Sequence, residues 1–212
     1  MDPIATAREE YRGDVLTEET VDPDPLVQLR RWLEQAFAAE LSEPNAATLA
    51  TVDRDGWPDA RIMLVRGVDE RGVSFYTDRR SAKAAQLEAH PVATLVWHWQ
   101  PLYRQVRLRG PVEPVPDEES EDYFASRPRA SQVGTWASDQ SAPIADRAAL
   151  EAQVAELDDR FAEGEVPCPP HWVGYRVRAE EVEFWQGRPA RLHDRLRFRR
   201  DGDGWALERL QP

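Results

Sequence analysis

The sequence predicts a mainly β fold in which antiparallel strands close into a barrel and helices lie at the periphery. Six or more short segments have the composition and alternation of strands. Tight turns, such as the one at Asp55-Gly56, connect neighbouring strands. Helical segments are inserted among these strands, and this order favours a closed antiparallel barrel over a parallel sheet.

The predicted strands begin after Asn45 and continue to the end of the chain. "ATLATVD", "RDGWPD" and "ARIMLVRGVD" read as strand, turn and strand, and a second turn at "DERG" leads to "VSFYT". "VATLVWHW" and "RQVRLRGPVEPV" add two more strands. The stretch 173–212 predicts three or four strands with a hairpin at "DGDG".

An amphipathic helix is predicted from Asp24 onward, with Asp24 as its cap and Pro25 at the first helical position. Its apolar side is expected to consist of Leu26, Leu29, Leu33, Phe37 and Leu41. Further helices are predicted in "RRSAKAAQLEAH", "PDEESEDYFASR" and "DRAALEAQVAELDDRFAEG", and an ordered loop in "PRASQVGTWASDQSAPI". Residues 1–22 are expected to be a mobile N-terminal segment, and residues 23–212 a single domain.

The composition limits the classes of function. The formal net charge is −12 and the pI is about 4.9, which disfavours general binding of nucleic acid. No apolar run reaches the ~20 residues that a membrane span needs, and the first residues have no signal-peptide core. Cys168 is the only cysteine, so a soluble cytoplasmic protein without disulfides is expected.

Basic residues form the first candidate sites. Lys83 is the only lysine among 27 basic residues. Either its position needs a compact ammonium group rather than a guanidinium, or the lysine remains by chance on a helix surface. Six arginines lie between Arg188 and Arg200 around His193. A strand over 190–199 would put Arg191, His193, Arg195, Arg197 and Arg199 on one face. That face is either solvated and paired with acids, or it binds an anion.

Other anion-binding candidates are spread along the chain. Arg61 and Arg66 bracket four apolar residues, and Lys83 lies near a predicted helix N-terminus. Tyr123 and Arg127 have i, i+4 spacing on a predicted helix, and Ser131 follows in the predicted loop. The histidines lack metal-ligand spacing, and no phosphate-loop, dinucleotide or nucleophile motif is present. This pattern predicts a phosphorylated cofactor that carries the chemistry itself, and no metal.

Longer motifs make the pattern specific. The pieces "RIMLVR", "FYT", "SAK", "RQV", "YFASRPRASQVGTWASDQS", "PPHWVGYRV", "EFWQGRPARLHDRL" and "ERLQP" occur in the order found in pyridoxine (pyridoxamine) 5′-phosphate oxidases, which the chain resembles from about residue 8 to residue 212. The resemblance implies a split β-barrel, antiparallel and Greek-key-like, that forms a homodimer with FMN at the subunit interface. It also implies oxidation of pyridoxine or pyridoxamine 5′-phosphate to pyridoxal 5′-phosphate, with O2 as acceptor and release of H2O2.

The resemblance also implies roles for individual residues. The expected FMN-binding residues are Arg61, Ile62, Met63, Leu64, Val65, Arg66, Tyr76, Thr77, Lys83, Gln105, Gln140, Ser141, Trp185 and Arg195. The expected substrate-binding residues are Arg8, Tyr11, Arg66, Tyr123, Arg127, Ser131, Arg191 and His193, with Arg191 and His193 also as catalytic residues. Arg8 and Tyr11 belong to the N-terminal segment, which is expected to close as a lid over the site.

Two positions depart from the family pattern. Arg66 stands where the family usually has a substrate-binding lysine, and Ala82 stands where it usually has an FMN-phosphate arginine; Arg79 or Arg80 is a candidate substitute for that arginine. One alternative function is oxidation of another ring by a related phenazine-type flavin oxidase. A second is a non-catalytic FMN-binding protein. A third is an RNA-binding module that uses the arginine strand, which the net charge disfavours. No nucleic-acid or membrane partner is expected.

Overall fold

The computed structural model describes residue 4 and residues 10–212. Its strands form a ten-stranded sheet in which every recorded pairing is antiparallel. The strands are β1 (Ala46–Val52), β2 (Pro58–Leu64), β3 (Gly67–Asp69), β4 (Gly72–Asp78), β5 (Val92–Trp99), β6 (Arg104–Pro114), β7 (Trp172–Val177), β8 (Glu181–Gln186), β9 (Asp194–Asp201) and β10 (Gly204–Arg209).

The sheet branches at its longest strand, β6. The main path runs β10-β9-β8-β6-β5-β1-β2, and β7, β4 and β3 leave it. Residues 104–109 of β6 pair with β8, whereas residues 112–114 pair with β7. Sharing one strand between two branches curls the sheet into a half-barrel. The mainly β, antiparallel split-barrel prediction is therefore confirmed, whereas full closure within the described chain is not observed, because β2 and β10 end the main path.

The described helices of eight or more residues lie at the periphery of the sheet, as predicted. They are α1 (Pro25–Ala38), α2 (Ala82–Ala89), α3 (Asp117–Ala125), α4 (Arg129–Ala137) and α5 (Arg147–Arg160). Side chains cap three of them, because Asp24, Ser81 and Asp146 each accept a hydrogen bond from a backbone N–H of the first turn. No helix in the described part of the chain is long and apolar enough to cross a membrane.

Helix α1 has the predicted cap but a different buried stripe. Leu26, Leu29 and Leu33 are buried as expected, whereas Phe37 is 55% exposed. Trp32 is buried in its place and stacks edge-on against the core ring of Phe184. The 3.6-residue period of the helix explains the error. It places Trp32 together with Leu29 on the side of the helix that faces the sheet, and Phe37 lies outside this buried side.

Two other predictions are wrong at element boundaries. The segment predicted as a loop after Pro128 begins with helix α4, in which the rigid φ of Pro128 fits the cap position. Arg127 was predicted inside a helix with Tyr123, but α3 ends at Ala125 and Arg127 lies in the short link to α4. Both side chains nevertheless line one cavity.

The strand predicted over 190–199 begins only at Asp194. Residues 189–191 form a 3₁₀ turn, and Ala190 and Arg191 have φ values of 56° and 63°. This left-handed backbone ends the alternation, so Arg191 and His193 precede the strand and are not placed by its period. Within β9 the alternation holds, because Leu196 and Phe198 are buried in the core while the arginines between them face outward.

Candidate functional site

The first group of candidate residues lines a cavity of about 210 Å³, which we call the lysine cleft. The end of β2, the end of β4, the start of α2 and the segment from α3 to α4 form its walls. Its lining residues are Ile62, Met63, Leu64, Arg66, Tyr76, Thr77, Lys83, Tyr123, Arg127, Gln140 and Trp172. Ten of these were predicted as site residues, and Trp172 was not.

Lys83 lies in the first turn of α2 and points its ammonium group into the cleft. Nζ donates to Thr77 Oγ1 at 3.1 Å and to Gln140 Oε1 at 2.7 Å. Burial, and next the charge of Arg61, lowers the pKa of Lys83. Among the residues that the structure describes, no carboxylate forms an ion pair with this ammonium group. The two oxygens that accept its hydrogen bonds are both neutral, which suits the binding of an anion.

Arg61 lies deeper, in a polar network beneath the cleft. Its two Nη groups donate to Thr51 Oγ1 at 2.6 Å, Asp59 Oδ2 at 2.5 Å and Gln86 Oε1 at 2.9 Å. The hydrogen bond from Gln86 lowers the pKa of Asp59. Burial opposes this shift, and the charge of Arg61 adds to it. Thr51, Asp59 and Gln86 were missed by sequence reasoning, since they come from three separate elements. The network orients Arg61 next to Lys83.

Aromatic rings form the opposite wall of the cleft. Tyr76 and Tyr123 stack with 4.1 Å between centroids, and the guanidinium of Arg127 lies 4.4 Å from the Trp172 ring centroid. Arg127 Nη1 also donates to Thr135 Oγ1 at 2.7 Å. Arg127 is thus held by a ring and a hydroxyl and has no carboxylate partner in the described chain, which leaves its charge available to an anion.

Arg66 and Ser131 flank this wall. The Arg66 guanidinium carbon lies 5.8 Å from the Tyr123 ring centroid. Ser131, in the first turn of α4, lines an adjoining cavity of about 330 Å³ that shares Arg127 and Gln140 with the lysine cleft. The four side chains predicted to hold a substrate phosphate therefore occur around two cavities that share lining residues; these side chains are Arg66, Tyr123, Arg127 and Ser131.

The start of α2 shows what surrounds Ala82. Its backbone N–H donates to Ser141 Oγ at 3.2 Å, which places Ser141, another predicted site residue, at this helix terminus. Arg80 binds the carboxylates of Asp78 and Asp139. Arg79 lines a different cavity, together with Leu87 and Tyr175. Neither arginine lines the lysine cleft in place of the family's usual residue.

The second group of candidate residues lies on β6, β8 and β9, and we call it the C-terminal cluster. Gln105, Trp185 and Arg195 are directly opposite one another in register, so their side chains share one face of the sheet. Arg195 donates from Nε to Glu183 Oε1 at 2.8 Å and from Nη1 to the Gln211 carbonyl at 3.0 Å. Glu183 was not predicted, although its alternation with Val182 and Phe184 indicates an outward position.

His193 and Tyr11 complete the C-terminal cluster. The His193 ring lies 4.6 Å from Trp185, and Tyr11 packs edge-on against both rings at 5.1 and 5.6 Å. Burial, and next the charge of Arg191, lowers the pKa of His193. Arg191 itself is exposed. Arg8, the other predicted residue of the N-terminal segment, lies outside the described residues.

The two groups lie far apart along the sheet of one chain. Three strands, β1, β5 and β6, separate β2 of the lysine cleft from β8 of the C-terminal cluster. Four strand spacings amount to ~19 Å along the sheet. The residues that line the lysine cleft include none from the C-terminal cluster. Val65, a further predicted cofactor residue, is buried in the core beneath β2.

Comparison with known proteins identifies similar families. Residues 33–161 match the family model described as pyridoxamine 5′-phosphate oxidase. Residues 172–212 match the pyridoxine 5′-phosphate oxidase C-terminal dimerisation region, which implies a homodimer. β7 to β10, and with them Trp185, His193 and Arg195, lie within this dimerisation region.

Individual relatives agree with these matches. A pyridoxine/pyridoxamine 5′-phosphate oxidase of Caulobacter vibrioides is 51% identical over 211 residues, covering 100% of this chain and 93% of the relative. One of Ralstonia nicotianae is 52% identical over 213 residues and covers 100% of both chains.

Solved structures show the same fold. The structure of PhzG from Burkholderia lata, in complex with tetrahydrophenazine-1-carboxylic acid, has a TM-score of 0.88 and 35% identity, covering 94% of this chain and 99% of that one. An FMN-binding protein of Nostoc punctiforme, 19% identical with a TM-score of 0.72, covers 94% of this chain and 100% of its own and shares the fold.

Proposed function

This chain belongs to the pyridoxamine 5′-phosphate oxidase family, and from that premise we propose that it oxidises pyridoxine or pyridoxamine 5′-phosphate to pyridoxal 5′-phosphate. The proposed cofactor is FMN, and the proposed acceptor is O2, which leaves as H2O2. With the amine substrate, water is taken up and ammonia is released. The family membership itself indicates a flavin-dependent oxidoreductase of vitamin B6 metabolism.

The observation that carries the proposal is the presence of two separate groups of cations around the lysine cleft. Lys83, beside Arg61, has only neutral acceptors and fits the phosphate of FMN. Arg66 and Arg127 lie against the Tyr123 and Trp172 rings on the opposite wall and fit a second phosphate. A site for a phosphorylated cofactor together with a phosphorylated substrate needs two such groups.

The residues present also fit the rest of a flavin. Ile62 is 65% exposed on β2 and offers an apolar surface beside Lys83. The half-buried Trp185 and the guanidinium of Arg195 supply an aromatic surface and a positive charge in the C-terminal cluster. We propose that the lysine cleft of one subunit and the C-terminal cluster of its partner form one site. This assembly accounts for the separation of the two groups within a chain.

In the mechanism that we propose, the protein positions the reactants and supplies charge. A bound flavin would supply the acceptor for a hydride from the substrate C4′ carbon, and O2 would be the final electron acceptor. Arg195 stabilises the negative charge that accompanies reduction. His193 and Arg191 orient the pyridine ring, while Arg66, Tyr123, Arg127 and Ser131 hold its phosphate. Tyr11, packed against His193 and Trp185, excludes water from this side of the site.

A second candidate function is oxidation of a larger, unphosphorylated ring of the phenazine type. The similarity to PhzG, whose structure contains tetrahydrophenazine-1-carboxylic acid, favours it. Arg66, which replaces the usual lysine, also leaves this alternative open. The side chains Tyr123, Arg127 and Ser131 favour the first candidate, because an unphosphorylated ring has no phosphate for them to bind.

Oxygen consumption by the FMN-loaded protein tests the proposal. We expect turnover with pyridoxine 5′-phosphate, pyridoxamine 5′-phosphate or both, and a large loss with unphosphorylated pyridoxine. Arg127→Ala is expected to raise KM for the phosphorylated substrate, and the exposed Arg160→Ala serves as its control. Turnover only with tetrahydrophenazine-1-carboxylic acid would establish the second candidate. FMN binding without turnover on any of these compounds would refute both.

A further inference from the structure

We propose that Glu183 is a positioning residue that fixes the direction of Arg195 and sets how much of its positive charge acts on the flavin. The inference rests on the proposed function, since it assigns Arg195 to the flavin site. Glu183 lies near the middle of β8, and its side chain is 6% exposed. A carboxylate buried to this degree is costly unless its oxygens are bound by cations or donors.

Each oxygen of Glu183 faces a different arginine. Oε1 accepts from Arg195 Nε at 2.8 Å, and Oε2 lies 3.5 Å from Arg107 Nη1. These arginines come from β9 and β6, the two strands that flank β8 in the sheet. The carboxylate is therefore shared between a residue of the proposed flavin site and an arginine outside it.

Among the described residues, the hydrogen bonds of Arg195 occupy two of its three guanidinium nitrogens. Nε is bound by Glu183 and Nη1 by the Gln211 carbonyl, so the plane of the group is fixed from two sides. A guanidinium carries five N–H donors in a rigid fork. With two of its nitrogens held, the remaining donors at Nη2 have a defined direction. The Nε edge of the guanidinium therefore faces Glu183, and the donors of Nη2 are the ones directed toward a ligand.

The carboxylate also reduces the field of Arg195. A negative charge at 2.8 Å offsets part of the guanidinium charge, most strongly where water is excluded. Replacing Glu183 by glutamine keeps an oxygen that accepts from Nε but removes the charge. The bound flavin would then face a stronger positive field, which favours its reduced, more negative form. The reduction potential is therefore expected to rise.

The same strand provides a matched control in Glu181. It is also buried, points to the same face two residues earlier, and pairs with arginines of both neighbouring strands. Its ion pairs are with Arg109 at 2.9 Å, Arg199 at 3.7 Å and Arg197 at 4.0 Å. Glu181→Gln therefore imposes the same loss of a buried charge on β8 without touching Arg195.

The test measures the midpoint potential of bound FMN and the FMN dissociation constant in the full-length protein. Glu183→Gln is expected to favour reduction at least tenfold, which is about +30 mV for a two-electron couple. Glu181→Gln is expected to leave the potential within a third of that shift. Equal shifts in both variants, or no shift in either, would overturn the inference.

A second variant keeps the test valid should Glu183→Gln fold poorly. Arg107 is half-exposed, so Arg107→Ala is tolerable, and it leaves Glu183 with Arg195 as its remaining close ion pair. The expected shift of the potential is negative, opposite in sign to that of Glu183→Gln. Arg109→Ala, the equivalent change beside Glu181, is the control. A potential that is the same in the Arg107 and Arg109 variants counts against the inference. Failure of the wild-type protein to bind FMN would instead refute the proposed function.

Discussion

The backbone N–H of Arg188 donates a hydrogen bond to Nδ1 of His193, with 3.1 Å between the two nitrogens. A ring nitrogen that accepts a hydrogen bond carries no proton, so neutral His193 has its proton on Nε2. Burial and the charge of Arg191 lower the pKa of His193 and favour this neutral form. The ring contacts with Trp185 and Tyr11 then fix the plane from which the Nε2–H points.

Paired substitutions at His193 test whether it acts as this donor. The amide nitrogen of glutamine reaches approximately the position of Nε2, whereas that of asparagine corresponds to Nδ1. His193→Gln is expected to keep most of the turnover number. His193→Asn is expected to lose about 5- to 150-fold, corresponding to one hydrogen bond of ~1–3 kcal/mol. Similar losses in both variants would show that the Nε2–H is not what the reaction uses.

The pH dependence of His193 follows from the same contacts. Its folded pKa lies below the unfolded value of about 6.5, so the folded state binds fewer protons. Its contribution to stability is full above that unfolded value and is lost as the pH falls through the folded pKa. Nitrogen-15 NMR of the ring is expected to show protonated Nε2 at pH 7 and titration below pH 6.5. A protonated Nδ1 at neutral pH would contradict the hydrogen bond from Arg188.

Lys83 is expected to dominate the binding of the FMN phosphate. Lys83→Ala removes a charge-assisted hydrogen bond of ~1.5–3 kcal/mol and should weaken FMN binding about 10- to 150-fold. Arg79→Ala is the control, since Arg79 lines another cavity and should leave the affinity unchanged. Quenching of FMN fluorescence measures both dissociation constants. Comparable weakening in the two variants would mean that Arg79 substitutes for the arginine that Ala82 lacks.

Part of the candidate site follows from the sequence alone, and part requires the three-dimensional structure. Alternation along "RLRFRR" separates core from surface correctly, because a β-strand dictates it residue by residue. The left-handed turn at Ala190 and Arg191 could not be predicted, since neither residue type favours positive φ. The partners Gln86 and Trp172 were also unpredictable, because contacts between distant elements leave no local periodicity. Glu183 had a local signal in "EVEF", but its pairing with Arg195 required the strand order.

Gly174 is expected to hold open the space for Tyr76. A Cβ at this position would lie 2.6 and 2.8 Å from two Tyr76 ring carbons and 2.4 Å from Val115 Cγ2. Gly174→Ala should therefore displace the ring that stacks on Tyr123, destabilise the protein by ~1–3 kcal/mol and raise KM. Gly134→Ala, inside a helix with nothing within 4 Å of its Cβ, should instead stabilise it by ~0.5–1 kcal/mol. Thermal unfolding of both variants checks the opposite signs.

Arg209 anchors the N-terminal segment to the last strand. Its Nε and Nη2 donate to the two oxygens of Glu18 at 2.9 and 2.7 Å, and Nη1 binds Asp194 at 2.8 Å. Asp194 also accepts from the Leu16 N–H at 3.2 Å. Hydrogen bonds from Arg209 lower the pKa of Glu18 to about 2. The network ties residues 16–18 to β9 and β10, and hydrogen bonds of Gly13 with Gly187 and Arg188 hold the segment nearer to Tyr11.

Arg209→Ala is expected to loosen this segment while changing global stability little. Both partners of the Glu18–Arg209 pair are well exposed, so the pair contributes at most ~1 kcal/mol. Because the folded pKa of Glu18 is depressed, this contribution is present above about pH 4.3 and is lost as the pH falls toward the folded value. Hydrogen exchange of residues 11–18 should accelerate in Arg209→Ala at pH 7, and in the wild type at pH 3 after correction for intrinsic rates. Arg199→Ala, on the neighbouring strand β9 and paired with Glu208, should leave that exchange unchanged, and equal acceleration in both variants would contradict the anchor.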